Sequence, residues 1–123
     1  MNIFLVFIGS GFGGVLRYLM TIGFRKYADT SFPIGTLVVN ILACFIIGLV
    51  IQQTNSKHIF QLTDSQRLLL AAGFFGGFST FSTFALENIR LLEQGMIFQT
   101  LFYILASVLF CCLATYLGLM LNR

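Results

Sequence analysis

The sequence predicts an all-α membrane protein with four transmembrane helices and a break in the third. Of its 123 residues, 58% are hydrophobic and only 9% are charged, against roughly a quarter charged in an ordinary soluble domain. Four apolar runs are each long enough to cross a bilayer as a helix, which takes about 20 residues. Glycines and hydroxyl residues interrupt the third run. A single transmembrane domain fills the chain and leaves no room for a separate catalytic or nucleotide-binding domain.

The predicted spans, in chain order, cover residues 3–24, 34–52, 68–86 and 97–121. The first has no basic leader or cleavage site, so we expect it to be retained. Pro33 lies just before the second span, where a first helical turn tolerates a missing N–H. Thr63 to Gln66 offers capping groups for the third. Short connections therefore join all four helices.

Basic residues are evenly divided between the two sides of this topology. Three lie on the side of the termini and three on the other: Lys57, Arg67 and Arg123 against Arg25, Lys26 and Arg90. Because orientation follows the excess of basic residues in loops, this count favours neither orientation. Two alternatives remain open: dual topology, in which copies insert both ways and pair antiparallel, or one orientation set by weaker features.

Charge and cysteine content exclude several classes of function. The net charge is +3, but the sequence has no lysine and arginine stripe of the kind that binds a phosphate backbone, so we expect no nucleic-acid partner. The three cysteines lie in apolar runs, and an odd count argues against a disulfide framework. We interpret them as small core residues. His58 stands alone, so no histidine or cysteine metal site is indicated.

Small residues at a spacing of four mark helix contacts in two spans. Gly9 and Gly13 have this spacing in the first span, and Gly73 and Gly77 have it in the third. Such pairs let helix backbones approach closely. The spacing predicts close packing, either within one chain or between subunits.

The third span carries the most unusual segment. Residues 73–84 read GFFGGFSTFSTF, which places two adjacent glycines and four hydroxyl residues inside an apolar run. Helix propensity is poor there, and unpaired backbone at membrane depth persists only where it is buried in protein or lines a cavity. Gly76 to Thr80 is therefore a candidate cation site at the midplane. The alternative is a packing face whose hydroxyls bond to the preceding turn.

Two phenylalanines in this segment are candidate ligands for an anion. Phe81 and Phe84 stand three residues apart and flank Ser82 and Thr83. An aromatic ring is positive at its edge, so rings and hydroxyls together can present weakly acidic groups to a small anion. In a chain with 15 phenylalanines, a core or lipid-facing role is the alternative.

Other polar residues inside the spans stand at helical spacing. They are Thr36 and Asn40 in the second span, and Tyr103 and Ser107 in the fourth. Each either lines a path or joins two helices. The ionisable groups deepest in the apolar runs are Arg17 and Glu87, which we expect near a mouth unless they pair with each other.

Acidic residues are scarce along the candidate path. None precedes Asp29, and none lies centrally in a span. Hydrogen-bond donors therefore outnumber carboxylates, which indicates an anion rather than a cation as the transported species.

Three motifs resemble those of a known family. They are Gly13-Gly14-x-x-Arg17-Tyr18, Pro33-x-Gly35-Thr36-Leu37-x-Val39-Asn40, and Gly76-Gly77-Phe78-Ser79-Thr80-Phe81-Ser82-Thr83-Phe84. Together they resemble the CrcB/Fluc fluoride channels, and the resemblance covers essentially the whole chain. Ser79 stands where threonine is common in that family. The change matters little if the backbone carbonyl makes the contact.

The resemblance implies an antiparallel, dual-topology homodimer in a bacterial plasma (inner) membrane. Two pores would pass fluoride but not chloride, and would passively lower cytoplasmic fluoride. Backbone carbonyls of Gly76 and Ser79 from both copies would hold a structural, untransported Na⁺. The edges of Phe81 and Phe84 would line the pores, and Asn40 would donate to the ion. Further polar contacts implied are Thr36, Ser82, Thr83, Tyr103 and Ser107, with Arg17 and Glu87 nearer the vestibules.

Two other classes of protein fit parts of the sequence. A small four-span multidrug antiporter would share the length and the ambiguous topology. The family that such a protein resembles uses a carboxylate in its first span, however, and residues 3–24 of this chain contain none. A non-transporting assembly subunit fits the composition but gives no reason for the segment from Gly76 to Phe84. Ion conduction requires no covalent chemistry, so we do not expect an enzyme.

Overall fold

The chain folds into helices joined by short connections. The computed structural model describes residues 1–28, 30–51 and 62–122. Its helices are α1 (Asn2–Tyr27), α2 (Ile34–Ile51), α3 (residues 64–78), α4 (Ser82–Glu93) and α5 (Ile97–Leu121). Together α3 and α4 form one membrane-length segment, Asp64–Glu93, interrupted at residues 79–81. Over these described ranges there are four segments long and apolar enough to cross a membrane, and no strand, which confirms the predicted helical class.

The third segment extends beyond the predicted residues 68–86 at both ends. At its start, the Thr63 hydroxyl accepts from the Gln66 N–H at 3.3 Å, and the Gln66 side chain accepts from the Thr63 N–H at 3.0 Å. This reciprocal capping is the chemistry that the sequence offered. At its far end, Gly95 has a φ of 75°, a conformation that glycine adopts without steric cost. Helix ends outside the most apolar stretch are therefore set by capping and turn residues.

Several residues used in the sequence-based topology lie outside the described ranges. They are Asp29, Gln52 at the expected end of the second span, and Lys57, His58 and Arg123.

The interruption of the third helix lies after the glycine pair and not at it. Residues Leu68–Phe75 form a π-helix, and Gly76–Phe78 continue as one α-helical turn. The backbone leaves the helix at Ser79, where φ is −76° and ψ is 157°. Low propensity at Gly76 and Gly77 therefore does not itself break the helix. The π-helix, a rare form that is frequent at functional sites, was not expected from the sequence.

Glycines let α1 lie directly against α3. A Cβ added to Gly9 would come within 2.5 Å of the Leu69 carbonyl oxygen and 2.8 Å of the Phe74 nitrogen. A Cβ on Gly73 would lie 3.1 Å from the Gly9 Cα. Backbone atoms occupy the space that side chains would need, so these pairs serve packing within the chain, one of the two predicted alternatives.

A second glycine contact joins α2 to α5. A Cβ on Gly48 would lie 3.1 Å from the Gly118 Cα, and one on Gly118 would lie 3.0 Å from the Gly48 Cα. Backbone atoms again occupy the space that side chains would need, so α2 lies directly against α5. Val39 and Ala43 of α2 pack with Phe75 and Phe78 of α3 in a buried cluster, which fixes α2 beside the interruption.

The α1–α3 contact generates a stability prediction. Gly9→Ala should lower the free energy of unfolding by about 1–3 kcal/mol, the usual cost of overpacking. Gly11→Ala is the matched control, because nothing lies within 4 Å of a Cβ at Gly11, and the better helix propensity of alanine should leave stability equal or slightly higher. Thermal unfolding in detergent measures both. Equal melting of the two variants would contradict the assigned contact.

Candidate functional site

One side chain satisfies the backbone where the third helix is interrupted. The Asn40 Nδ2 donates to the Thr80 carbonyl at 3.1 Å, and the Thr80 N–H donates to the Asn40 Oδ1 at 2.9 Å. The amide of Asn40 therefore pairs with both polar backbone groups of one residue, as a neighbouring strand would. Of the two roles expected for Asn40, lining a path or joining two helices, this contact provides the second, because it ties α2 to the interrupted third segment.

The bond to Asn40 also changes the pairing of the preceding turn. In a continuous α-helix, the Thr80 N–H would donate to the Gly76 carbonyl; here it donates to Asn40 instead. The Ser79 N–H still reaches the Phe75 carbonyl at 3.0 Å. The Ser79 carbonyl accepts from the Arg17 Nη1 at 3.4 Å and, having two lone pairs, can accept a second contact. Gly76 and Ser79 thus offer carbonyl oxygens that helical bonding does not use up.

The Thr80 side chain also bonds to the first turn of α4. Its hydroxyl accepts from the Thr83 N–H at 3.3 Å and donates to the Thr83 hydroxyl at 3.2 Å, with Ser82 Oγ at 3.4 Å. A hydroxyl in this place satisfies one of the free N–H groups at a helix start. Sequence analysis did not single out Thr80 by itself, although it is the residue on which both sides of the interruption depend.

Glu87 joins three helices through two hydroxyl donors. Thr36 of α2 donates to its Oε1 at 2.8 Å, and Tyr103 of α5 donates to its Oε2 at 2.8 Å. Over the described residues no ion pair links Glu87 to Arg17, so the alternative in which these two groups pair is not adopted. Each group instead bonds to neutral partners.

Aromatic rings form a row beside this network. The Tyr103 ring is fully buried, and its centroid lies 5.0 Å from that of Phe84. The Phe84 centroid lies 5.5 Å from that of Phe81, with the ring planes at 45°. Phe81 is 78% exposed, whereas Phe84 is half-buried. The row therefore runs from the protein interior to its surface.

The phenylalanine pair borders a cavity of about 270 Å³, here named the phenylalanine cavity. Its lining residues are Asn40, Cys44, Ser79, Thr80, Phe81, Phe84, Ser107, Val108 and Cys111. Ser107 is only 7% exposed, and its hydroxyl has no hydrogen-bond partner among the described residues. A buried, unpartnered hydroxyl is costly unless something binds it. The cavity wall thus holds a donor that the fold does not use.

Two further cavities of about 210 Å³ each continue from the first. The arginine cavity is lined by Arg17, Tyr18, Thr21, Thr36, Thr80 and Thr83, and it shares Thr80 with the phenylalanine cavity. The loop cavity lies among Ala28, residues 30–36 and the ends of α1 and α4. It includes Arg25, Glu87 and Arg90 and shares Thr21 and Thr36 with the arginine cavity. Because neighbouring cavities share lining residues, the three adjoin one another in the order phenylalanine cavity, arginine cavity, loop cavity.

Most of the predicted site residues line one of these cavities. Asn40, Ser79, Phe81, Phe84 and Ser107 line the first, Arg17, Thr36 and Thr83 the second, and Thr36 and Glu87 the third. Gly76, Ser82 and Tyr103 line none of the three. Sequence analysis missed three lining residues, whose only signal is their i, i+4 spacing to predicted residues: Thr21, Cys44 and Cys111.

The described residues contain four membrane-length segments, the third of which has a polar interruption, and these define a multi-pass membrane protein. Comparison with known families is specific: residues 4–119 match the family described as "CrcB-like protein, Camphor Resistance (CrcB)". The chain belongs to this CrcB family. It is 41% identical to the "Fluoride-specific ion channel FluC" of Phocaeicola vulgatus, over 99% of this chain and 98% of the relative.

Other relatives agree. The protein of the same name from Agrobacterium fabrum is 40% identical over 100% of this chain and 97% of its own length. "Fluoride-specific ion channel FluC 1" of Methanosarcina acetivorans is 42% identical over 95% and 87%. The predicted family is thereby confirmed.

The Asn40 contact generates a second stability prediction. Asn40→Leu leaves the Thr80 N–H and carbonyl without partners, and each unpaired group costs about 1–3 kcal/mol. We expect lower thermal stability and faster amide exchange across residues 79–84. Asn88→Leu is the control: Asn88 is also buried, but among the described residues its side chain bonds only to Phe84 of its own helix, and its Oδ1 has no partner there. Faster exchange in the control alone would contradict the role of Asn40.

Proposed function

We propose that the chain forms a passive, fluoride-selective channel that lowers cytoplasmic fluoride. The observation that carries the proposal is the lining of the phenylalanine cavity. It combines the Asn40 amide, the unpartnered Ser107 hydroxyl and the Phe81 and Phe84 rings, and no carboxylate stands among its lining residues. The relatives named as fluoride-specific channels supply the identity of the anion. A channel family also agrees with the expectation that the chain is not an enzyme.

The donors in this cavity suit a small, strongly hydrated anion. An asparagine amide carries two N–H groups; one is used on the Thr80 carbonyl, and the second is free to face the cavity. Ser107 adds an O–H, and the ring edges add weakly positive C–H groups. Several moderate donors can replace the water around fluoride and still release it, as conduction requires.

The sequence of cavities supports a route for the ion. A path would run from the phenylalanine cavity past Thr80 and Thr83 to the loop cavity. Arg25 and Arg90 at the loop cavity would raise the local concentration of anions. The Thr36 and Tyr103 hydroxyls hold the Glu87 carboxylate to one side.

The working unit in this proposal is an antiparallel, dual-topology homodimer with two pores. An axis in the membrane plane would bring the same segment, residues 76–81, of both copies together. The exposure of Phe81 and Gly76 on the monomer surface and the even division of basic residues support this arrangement.

A structural Na⁺ fits the carbonyls of Gly76 and Ser79. The Thr80 N–H is taken by Asn40, so the Gly76 oxygen lacks its usual donor, and interrupted helices hold Na⁺ through such carbonyls. When bound, the ion would neutralise the partial negative charge of carbonyl oxygens that meet at the dimer axis. It would not be transported.

Fluoride flux tests the proposal directly. Protein reconstituted in liposomes with Na⁺ and a counter-ion pathway should release fluoride rapidly, and chloride at a small fraction of that rate. A fluoride electrode measures the first and a chloride electrode the second, with protein-free liposomes as the blank. Absent fluoride release, or equal release of chloride, would refute the proposed function.

Asn40→Asp separates the role of this residue in conduction from its role in the fold. An aspartate keeps the oxygen that accepts from the Thr80 N–H but places an acceptor where the amide donated. Fluoride flux should be abolished, while size-exclusion chromatography should still show the dimer. Undiminished flux in a folded Asn40→Asp dimer would show that Asn40 does not donate to the ion.

A further inference from the structure

The phenylalanine cavity contains two facing thiols. Cys44 of α2 and Cys111 of α5 both line it, and both are half-buried. The Thr115 hydroxyl, one turn further along α5, donates to the Cys111 carbonyl at 3.0 Å. Neither thiol takes part in the proposed conduction of fluoride.

The positions of the thiols follow from the register of the two helices. Cys44 stands four residues after Asn40 and four before Gly48, so these three share a face of α2. Ser107, Cys111 and Thr115 repeat that spacing on α5. Because Gly48 packs against the backbone at Thr115 and Gly118, each cysteine lies about one helical turn from this contact, and both line the same cavity.

We propose that Cys44 and Cys111 form a binding site for a soft, two-coordinate metal cation, and that occupation of this site blocks the cavity. Thiolates select soft cations over hard ones. The described residues contain no group of three or more histidine, cysteine, aspartate or glutamate side chains able to hold a metal. A cation that needs only two sulfur ligands therefore suits the site better than zinc, which takes four ligands in a tetrahedral arrangement.

Mercuric ion is the two-coordinate cation used here to describe binding by the two thiols. With mercuric chloride, two S–H bonds and two Hg–Cl bonds break and two Hg–S bonds form. Two chloride ions leave and two protons pass to water, with no change of oxidation state. The product, a mercury bis-thiolate, is neutral and so avoids the cost of burying a net charge. It would lie one helical turn from Asn40 and Ser107, in the same cavity.

Thiol counting tests the metal site without reference to transport. Purified protein in detergent is incubated with one equivalent of mercuric chloride, labelled to completion with N-ethylmaleimide while still folded, and weighed by mass spectrometry. A mercury-free sample of each variant gives the number of thiols that react. The chain has three cysteines. One mercury should protect two thiols in the wild type and in Cys112→Ser, whose residue 112 is exposed, but only one thiol in Cys44→Ser and in Cys111→Ser.

The alternative is that both cysteines are only small packing residues. It predicts one thiol protected per mercury in every variant, which would overturn the site. Loss of double protection in Cys112→Ser, with retention in Cys44→Ser, would also overturn it, because the chelating pair would then be Cys111 and Cys112.

Fluoride flux tests the blocking step, which rests on the proposed function. Each variant is compared with its own metal-free flux. The mercury concentration for half-block should rise about tenfold or more in Cys44→Ser and Cys111→Ser, because the second thiol acts at a high effective concentration, and it should be unchanged in Cys112→Ser.

The two measurements fail separately. Unchanged flux in wild type with two protected thiols would overturn the block. If metal-free wild type conducts no fluoride, the proposed function fails, and thiol counting still decides the metal site.

Discussion

A backbone polar group inside a bilayer needs a partner within the protein, and this requirement governs the interruption of the third helix. Thr80 leaves the helical pattern with both its N–H and its carbonyl free, and the amide of Asn40 pairs with both. The freed Gly76 carbonyl, the hydroxyl cap of α4 and the exposed position of Phe81 all follow from that contact. Without Asn40 of α2 as a partner, the third helix would be more stable with its regular backbone hydrogen bonds closed across the interruption.

Asn40 reaches the interruption only because the helices lie close together. Backbone contacts at Gly9 and Gly73 hold α1 against α3, and the contact of Gly48 with Gly118 holds α2 against α5. Glu87 then joins α4 to α2 and α5 through two hydroxyls. Glycines thus set the distances between the helix backbones, and a few side-chain hydrogen bonds set how the helices align along their axes.

Sequence analysis was most successful where the information is local. Apolar length predicted the helices, and the Thr63 cap and glycine spacing were correctly identified. The interruption was placed only as closely as the segment from Gly76 to Thr80, because propensity is a local property, whereas a bond from α2 decides at which residue the backbone departs. The π-helix has no local signal. The meeting of Tyr103 with Glu87, or of Cys44 with Cys111, depends on helix register, which residue spacing within one helix does not reveal.

The interior also keeps its two ionisable groups apart. Arg17 bonds to the Ser79 carbonyl, while Glu87 accepts from hydroxyls. A direct ion pair would cancel both fields, whereas separate neutral partners leave a positive group at the arginine cavity and a negative one bordering the loop cavity. For the proposed conduction this matters, since an anion drawn toward Arg17 meets repulsion near Glu87. Opposing fields along one route limit how tightly any position holds the ion, and a channel needs sites that release what they bind.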